Sequence, residues 1–182
     1  MNSLYTRPLG NVRCTASGGI KRKTKSMGLD MYLRASKYVS GWEHGGKEAK
    51  AQYAHLLQQI GLPDNICPES PSATINVTVA YWRKANAIHK WFVDNCQDGK
   101  DECQDSYVKR EQLVELRDLC KSTLSNMSHA KEKLPPKEGF FFGSTTIDEY
   151  YKEDLNNTVT QLNRILDDER LAGFSFIYHS SW

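Results

Sequence analysis

The stretch at residues 81–92 concentrates aromatic and cationic side chains in the order Tyr-Trp-Arg-Lys-Ala-Asn-Ala-Ile-His-Lys-Trp-Phe. Treated as one helix with about 100° between residues, it has an apolar side made of Tyr81, Ala85, Ile88 and Phe92. A polar stripe lies beside that side, because residues three, four and seven apart stack along a helix. The stripe and its border hold Trp82, Arg83, Asn86, His89 and Lys90.

This stripe has the chemistry of a site for an anion or a nucleotide. Arg83 offers a planar fork to phosphate, Asn86 can pair with an amide or a base, and Trp82 or His89 can stack on a ring. The alternative is a solvated helix flank on which Arg83 and Lys90 only maintain surface charge. We predict that the five residues form a ligand-binding surface.

His89 and Trp91 each admit a second role. A histidine at the border of the core is expected to hydrogen-bond a nearby carbonyl, whereas a general base needs an orienting carboxylate. Asp30 and Glu149 are the candidates for that carboxylate. Trp91 lies about a quarter turn from the apolar side, so another element of the fold or a partner protein must cover its indole. An exposed Trp91 would indicate a protein-interaction module.

Residues 139–146 form a second candidate site, in which two glycines flank three phenylalanines. Residues 146–149 read Thr-Ile-Asp-Glu, the pattern of a capping box, so a helix is predicted to start here. Free amides and partial positive charge at such a terminus attract phosphate or carboxylate, which adds Ser144 and Thr145 to the predicted ligand-binding residues. The alternative assigns the phenylalanines to the core and the hydroxyl groups to helix capping.

Metal-ligand residues are present without a complete metal-binding pattern. Asp94 and Asp105 occupy the first and last positions of a twelve-residue calcium loop, but Cys96 stands at the third position and an aspartate replaces the final glutamate. His89, Cys96 and Cys103 recur every seven residues, yet no close cysteine pair completes a zinc site. We predict an acidic surface turn with no metal and no cofactor, and keep calcium and zinc as the alternatives.

Composition sets further bounds. The chain has 182 residues and five cysteines, an odd number, so a single domain with reduced thiols is expected. No apolar run of about 18 residues occurs, which favours a soluble, cytoplasmic protein without a membrane span. Walker-type phosphate loops, nucleophile elbows and dinucleotide-binding glycine patterns are absent, which argues against the common nucleotide hydrolases and dehydrogenases.

Residues 1–26 differ in charge from the rest of the chain. They contain six basic and no acidic residues, so residues 27–182 of this +2 chain carry a net charge of −4. Because they show no apolar periodicity, we interpret them as a disordered arm or an upstream extension of the reading frame. A nucleic-acid-binding arm or a targeting peptide is the alternative.

Periodicity predicts an α+β domain over residues 27–182, with three to four helices packed on a small sheet of short strands. Alternation of apolar and polar residues, or a β-branched run, predicts strands at 28–35, 74–79 and 174–178. Apolar residues at helical spacing predict helices at 48–60, 81–92 and 110–124, and a long helix from the capping box to about residue 168.

Four motifs give the chain a resemblance to a family of small proteins from bacteriophage and prophage genomes. They are Met-Gly-Leu-Asp-Met-Tyr-Leu at 27–33, the aromatic stretch at 81–92, Gly-Phe-Phe-Phe-Gly-Ser-Thr at 139–145 and Ser-Ser-Trp at 180–182. The resemblance implies a phage accessory protein and carries over no catalytic residue.

We therefore expect an accessory protein, in the cytoplasm of an infected or lysogenic host, that binds a small anionic ligand without turnover. A nucleotide signal used in host defence fits this chemistry, and the protein would then sequester it. Two alternatives stay open: an interaction module that inhibits a host protein through Trp91, and a nucleotide- or nucleic-acid-processing enzyme that uses His89. Homo-oligomerisation is compatible with each.

Overall fold

The sheet at the centre of the fold has four antiparallel strands in the order β2-β1-β4-β3. In this computed structural model, which describes residues 28–63 and 65–182, they are β1 (Asp30–Ser40), β2 (Ser72–Arg83), β3 (Ser106–Val108) and β4 (Ser175–Ser181). The strands β1 and β4 lie inside the sheet, and β2 and β3 form its two edges.

Five helices belong to the described part of the chain: α1 (Lys47–Gln59), α2 (Asn86–Cys96), α3 (Arg110–Ser125), α4 (Ala130–Lys133) and α5 (Glu149–Leu166). The core lies between helices and one face of the sheet. On β1, Met31, Leu33 and Ala35 are fully buried, whereas the alternating Tyr32 and Arg34 keep exposed surface. The expected α+β single domain is confirmed.

Most predicted elements are present with shifted bounds. The alternation that predicts a strand at residues 28–35 marks only the first part of β1, and the β-branched run at 74–79 lies inside the longer β2. The helices predicted at 48–60 and 110–124 correspond to α1 and α3. The four-residue helix α4 is too short to produce a periodic pattern, so it was not predicted.

The single helix predicted for residues 81–92 is wrong. Residues 81–83 end β2, where Arg83 is still in register with β1, and α2 begins only at Asn86. Between them Lys84 has a φ of 59°, a left-handed conformation that continues neither a strand nor a helix. The β-branched residues before this point favour a strand, and pairing with β1 extends it through the aromatic residues. The proposed polar stripe is therefore not one helix face.

Helix α5 begins two residues later than the capping box predicts. Asp148, not Thr146, precedes the helix, and its carboxylate accepts a hydrogen bond from the Tyr151 amide at 3.2 Å. The Thr146 amide instead donates to the Ser144 hydroxyl at 3.1 Å. Aspartate caps a helix as well as threonine does, so the sequence contained two competing start signals.

Candidate functional site

A cavity of about 360 Å³ opens between the turn that joins β2 to α2, the loop that precedes α5, and the first turns of α5. We call it the α2–α5 cavity. Its lining includes the cations Arg83 and Lys84, the carboxylates Glu153 and Asp154, and the ring of Tyr150. Cavities of about 300–1,000 Å³ are the usual size for small-molecule sites.

Two left-handed residues bring the turn and the loop together. Lys84 has a φ of 59° and Gly143 a φ of 89°. A Cβ atom on Gly143 would lie 3.3 Å from the Cβ of Lys84, so both the conformation and the close approach favour glycine. The Lys84 amide donates to the Leu29 carbonyl at 2.8 Å, and the Lys84 carbonyl accepts from the Asn86 amide at 2.9 Å. The turn is therefore fixed on both sides.

Asn86 connects the start of α2 to the loop before α5. Its side-chain amide donates to the carbonyls of Phe142 at 3.1 Å and Ser144 at 2.8 Å. Only 4% of Asn86 is exposed. Because both amide hydrogens are used by the protein, Asn86 holds the cavity wall together and has no hydrogen left to donate to a ligand.

The amino-terminal end of α2 forms one wall of the cavity, through residues that include Ala85, Ala87 and Ile88. No side chain caps this end of the helix. The first helical hydrogen bond runs from the His89 amide to the Ala85 carbonyl, and the amides of Ala87 and Ile88 have no partner among the described residues. Such a helix end carries unpaired N–H groups and partial positive charge, so this wall favours an anionic group.

Two cations lie beside this wall. The Arg83 guanidinium is 3.1 Å from the carboxylate of Asp30, which also accepts a hydrogen bond from the Tyr81 hydroxyl. Lys84 is exposed and makes no ion pair with any residue that the structure describes. Its ammonium group is therefore available to an anion, whereas Arg83 is held in place by the protein.

The wall formed by α5 is acidic. The half-buried Asp154 makes no side-chain hydrogen bond within the described chain. Burial, together with the charges of Glu153 and Asp148, raises the pKa of Asp154 to about 6. A carboxylate in such surroundings gains from a hydrogen-bond donor. This wall therefore favours a ligand group that carries N–H or O–H.

An exposed aromatic ring completes the cavity. Tyr150, in the first turn of α5, is 76% exposed, whereas the next residue, Tyr151, is buried and donates its hydroxyl to the Leu134 carbonyl at 2.9 Å. The ring of Tyr150 is thus free to lie against a planar group. The cavity combines an anion-binding wall, an acceptor wall and an aromatic surface.

The predicted ligand-binding residues do not stay together. Arg83, Asn86 and Ser144 line the cavity, and Thr145 follows Ser144 without lining it. Lys90 lies one turn further along α2, outside the lining, and forms an ion pair with Asp94. Trp82 and His89 belong to the core.

Trp82 packs inside the protein. It is 2% exposed, its indole N–H donates to the Thr158 hydroxyl at 2.9 Å, and its ring centre lies 5.8 Å from that of Phe92. The predicted stacking of Trp82 on a ligand does not fit this position, because its ring faces other core side chains.

His89 is the centre of a buried hydrogen-bond network. Its side chain has no exposed surface; Nδ1 lies 2.7 Å from the Tyr178 hydroxyl, and Nε2 lies 3.0 Å from the Asp101 carboxylate. Asp101 also accepts from the Lys137 ammonium at 2.6 Å and from the Trp182 indole at 3.2 Å. Burial lowers the pKa of His89, although Asp101 favours its charged form. The network connects α2 to β4 and to the last residue of the chain.

The carboxylates suggested as partners of His89 are elsewhere. Asp30 binds Tyr81 and Arg83, and Glu149 lies 2.6 Å from the Lys152 ammonium. A fully enclosed imidazole has no access to a substrate, so the network is a structural one. His89 does have a carboxylate at hydrogen-bond distance, but this carboxylate is Asp101 rather than Asp30 or Glu149.

Trp91 is covered by the fold itself. It is 6% exposed, and its ring centre lies 5.3 Å from that of Phe92 in an edge-to-face arrangement. No partner protein is needed to cover the Trp91 indole. The exposed tryptophan that would indicate an interaction module anchored by Trp91 is therefore absent.

The cavity residues that the sequence analysis did not predict include Lys84, Tyr150, Glu153 and Asp154. Asp154 had a readable signal, because it lies three residues after Tyr151 on the side that α5 buries. A carboxylate on the buried side of a helix is unusual, so it indicates a candidate functional residue. The sequence gives no comparable signal at Lys84, because glycine or asparagine usually marks a left-handed turn.

Within residues 28–63 and 65–182, no group of three or more His, Cys, Asp or Glu could hold a metal ion. The helices of that region lack the combination of length and apolar character that a membrane span requires. The predictions for residues 1–26 lie outside the described residues. Comparisons with protein-family models, curated proteins and solved structures found no match to this chain.

Proposed function

We propose that this protein binds a small anionic ligand, with the size and chemistry of a nucleotide, in the α2–α5 cavity. One observation carries the proposal: the uncapped end of α2 and the unpaired ammonium of Lys84 line the same cavity of about 360 Å³. Helix-end amides next to a lysine are a recurrent arrangement for phosphate recognition.

In this proposal the phosphate contacts the amides of Ala87 and Ile88 while Lys84 neutralises its charge. Arg83 adds positive potential from its position beside Asp30. The roles of Trp82, His89 and Lys90 as direct ligand contacts are replaced by those of helix amides and Lys84.

The rest of the ligand lies toward α5. Asp154 accepts hydrogen bonds from amino or ring N–H groups of a base, and the exposed ring of Tyr150 stacks on it. Because a carboxylate only accepts, bases that present several N–H groups are favoured over those that present carbonyls. A simple inorganic anion would satisfy one wall and leave the acidic wall without a partner.

The resemblance to phage proteins supports the biological part of the proposal. We propose an accessory protein that sequesters a nucleotide used in host defence, without turnover. The enclosed position of His89 favours binding over catalysis, since the candidate general base cannot reach a ligand in the cavity.

Calorimetric titration of the full chain with the four common nucleoside monophosphates and the matching nucleosides tests this proposal. We expect the monophosphates to bind and the nucleosides to bind at least about tenfold more weakly, because a charged hydrogen bond contributes about 1.5–3 kcal/mol. Lys84→Gln should weaken binding by about tenfold. Lys90→Gln is the matched control, since Lys90 lies outside the cavity, on the helix that follows the turn at Lys84. Equal effects of the two variants would contradict the proposed site, and so would equal binding of nucleosides and monophosphates.

A further inference from the structure

The outer edge of β2 offers main-chain hydrogen bonds that the described chain leaves largely unused. The strand has 12 residues and is an edge of the sheet. At Tyr81 the side chain of Gln161 covers this edge, accepting from the amide at 2.9 Å and donating to the carbonyl at 3.1 Å. From Ser72 to Val79, no described residue forms hydrogen bonds with the outward-facing amides and carbonyls of the strand. An unpaired edge is a template for another strand.

Apart from a bulge at Val79, this edge has none of the usual protection against pairing. Residues 72–80 contain no charged residue and no proline. Val77 is 50% exposed, although its β-branched side chain is apolar. The opposite edge, β3, has only three residues, and a short edge strand is itself a protective device. The two edges of the sheet therefore differ in what they can bind.

Gln161 shows which main-chain groups point outward. Since it pairs with the amide and carbonyl of Tyr81, those groups face away from β1. The register with β1 shifts by one residue at Val79, a bulge, after which the alternation continues. The outward groups are then those of Thr78, Asn76 and Thr74.

The sequence around Asn76 is nearly the same in both directions. Residues 74–78 read Thr-Ile-Asn-Val-Thr. In an antiparallel copy related by a two-fold axis at Asn76, Thr74 would lie opposite Thr78 and Ile75 opposite Val77. Threonine pairs and β-branched pairs are favourable cross-strand neighbours, and no like charges would meet.

We propose that β2 pairs with β2 of a second copy of this chain, antiparallel about a two-fold axis at Asn76, so that two four-stranded sheets become one continuous sheet. The occupant is a second copy because this edge complements itself. The outward main-chain groups and the side-chain pairs match those of an antiparallel copy, and no charged residue repels it. This dimer does not depend on ligand binding in the α2–α5 cavity.

Sedimentation velocity of the full chain over a range of concentrations tests the interface. We expect a dimer for the wild type and a monomer for Asn76→Lys, because that change places two ammonium groups opposite each other. Tyr107→Lys, on the exposed part of the other edge strand, is the matched control and should remain dimeric. A wild type that stays monomeric at every concentration overturns the proposal, as does an Asn76→Lys variant that dimerises as well as the control.

Oxidative cross-linking tests the register. In a Cys67→Ser background, which removes an exposed cysteine, Asn76→Cys should form a disulfide with its own copy. Thr74→Cys should not, since residue 78 lies opposite it in this register. The background without either new cysteine sets the baseline. Equal cross-linking of the two variants would overturn the two-fold axis at Asn76.

Discussion

The Asp154 carboxylate is expected to lower the stability of the folded protein at neutral pH while it strengthens the binding of a ligand. Burial and two neighbouring carboxylates raise its pKa to about 6, and no described group donates a hydrogen bond to its carboxylate. The folded protein therefore holds a proton on Asp154 more tightly than the unfolded chain does. Stability from this residue is lost as the pH rises from about 4 to about 6 and stays low at neutral pH.

We expect Asp154→Asn to raise the free energy of unfolding at pH 7 by roughly 1 kcal/mol, a value reduced for partial solvent access. The same variant should weaken the binding of a monophosphate, because the amide offers one acceptor fewer. Urea unfolding at pH 7 and pH 4 measures the first effect, and the difference between variant and wild type should shrink at pH 4, where Asp154 is protonated. A wild type that is more stable than the variant at pH 7 would show that the carboxylate has a stabilising partner.

At the scale of elements, periodicity was sufficient to predict the α+β class and most strands and helices. It failed at residues 81–92, because aromatic residues suit both strands and helices and a left-handed lysine gives no warning of a break. The N-cap of α5 was misplaced, since Thr146 and Asp148 are both good caps. Asp154 was readable in principle as a carboxylate on a buried helix side.

The turn at Lys84 and the loop at Gly143 depend on each other. Gly143→Ala adds a Cβ that meets Lys84 at 3.3 Å and forces an alanine to a φ of 89°. We expect a loss of about 1 kcal/mol in stability, together with weaker monophosphate binding, because the cavity wall must move.

Gly173→Ala is the control for that change, since its added Cβ meets nothing within 4 Å. Thermal unfolding and the calorimetric titration give the two readouts. If both variants behave alike, the close approach of the two segments does not shape the cavity.

At the scale of the whole molecule, the cavity depends on parts of the chain that are far apart in sequence. Arg83 ends β2 and Lys84 follows it, Ser144 lies in a loop, and Asp154 belongs to α5. The sequence predicts Arg83, Asn86 and Ser144 as binding residues, but in two separate candidate sites, because no local pattern shows which distant segments meet. Helix α2 carries both His89, which belongs to the core network, and one wall of the cavity. Packing of the core therefore fixes the position of that wall.

The most direct test of the binding site is a nuclear magnetic resonance titration of the isotope-labelled full chain with guanosine monophosphate, whose base presents several N–H groups. We predict the largest amide shifts at Asn86, Ala87 and Ile88, with Asn95 at the other end of α2 unaffected. Shifts that are absent at millimolar ligand, or that concentrate on Tyr32 and Arg34 of β1 instead, would contradict the assignment of the α2–α5 cavity as the anion site.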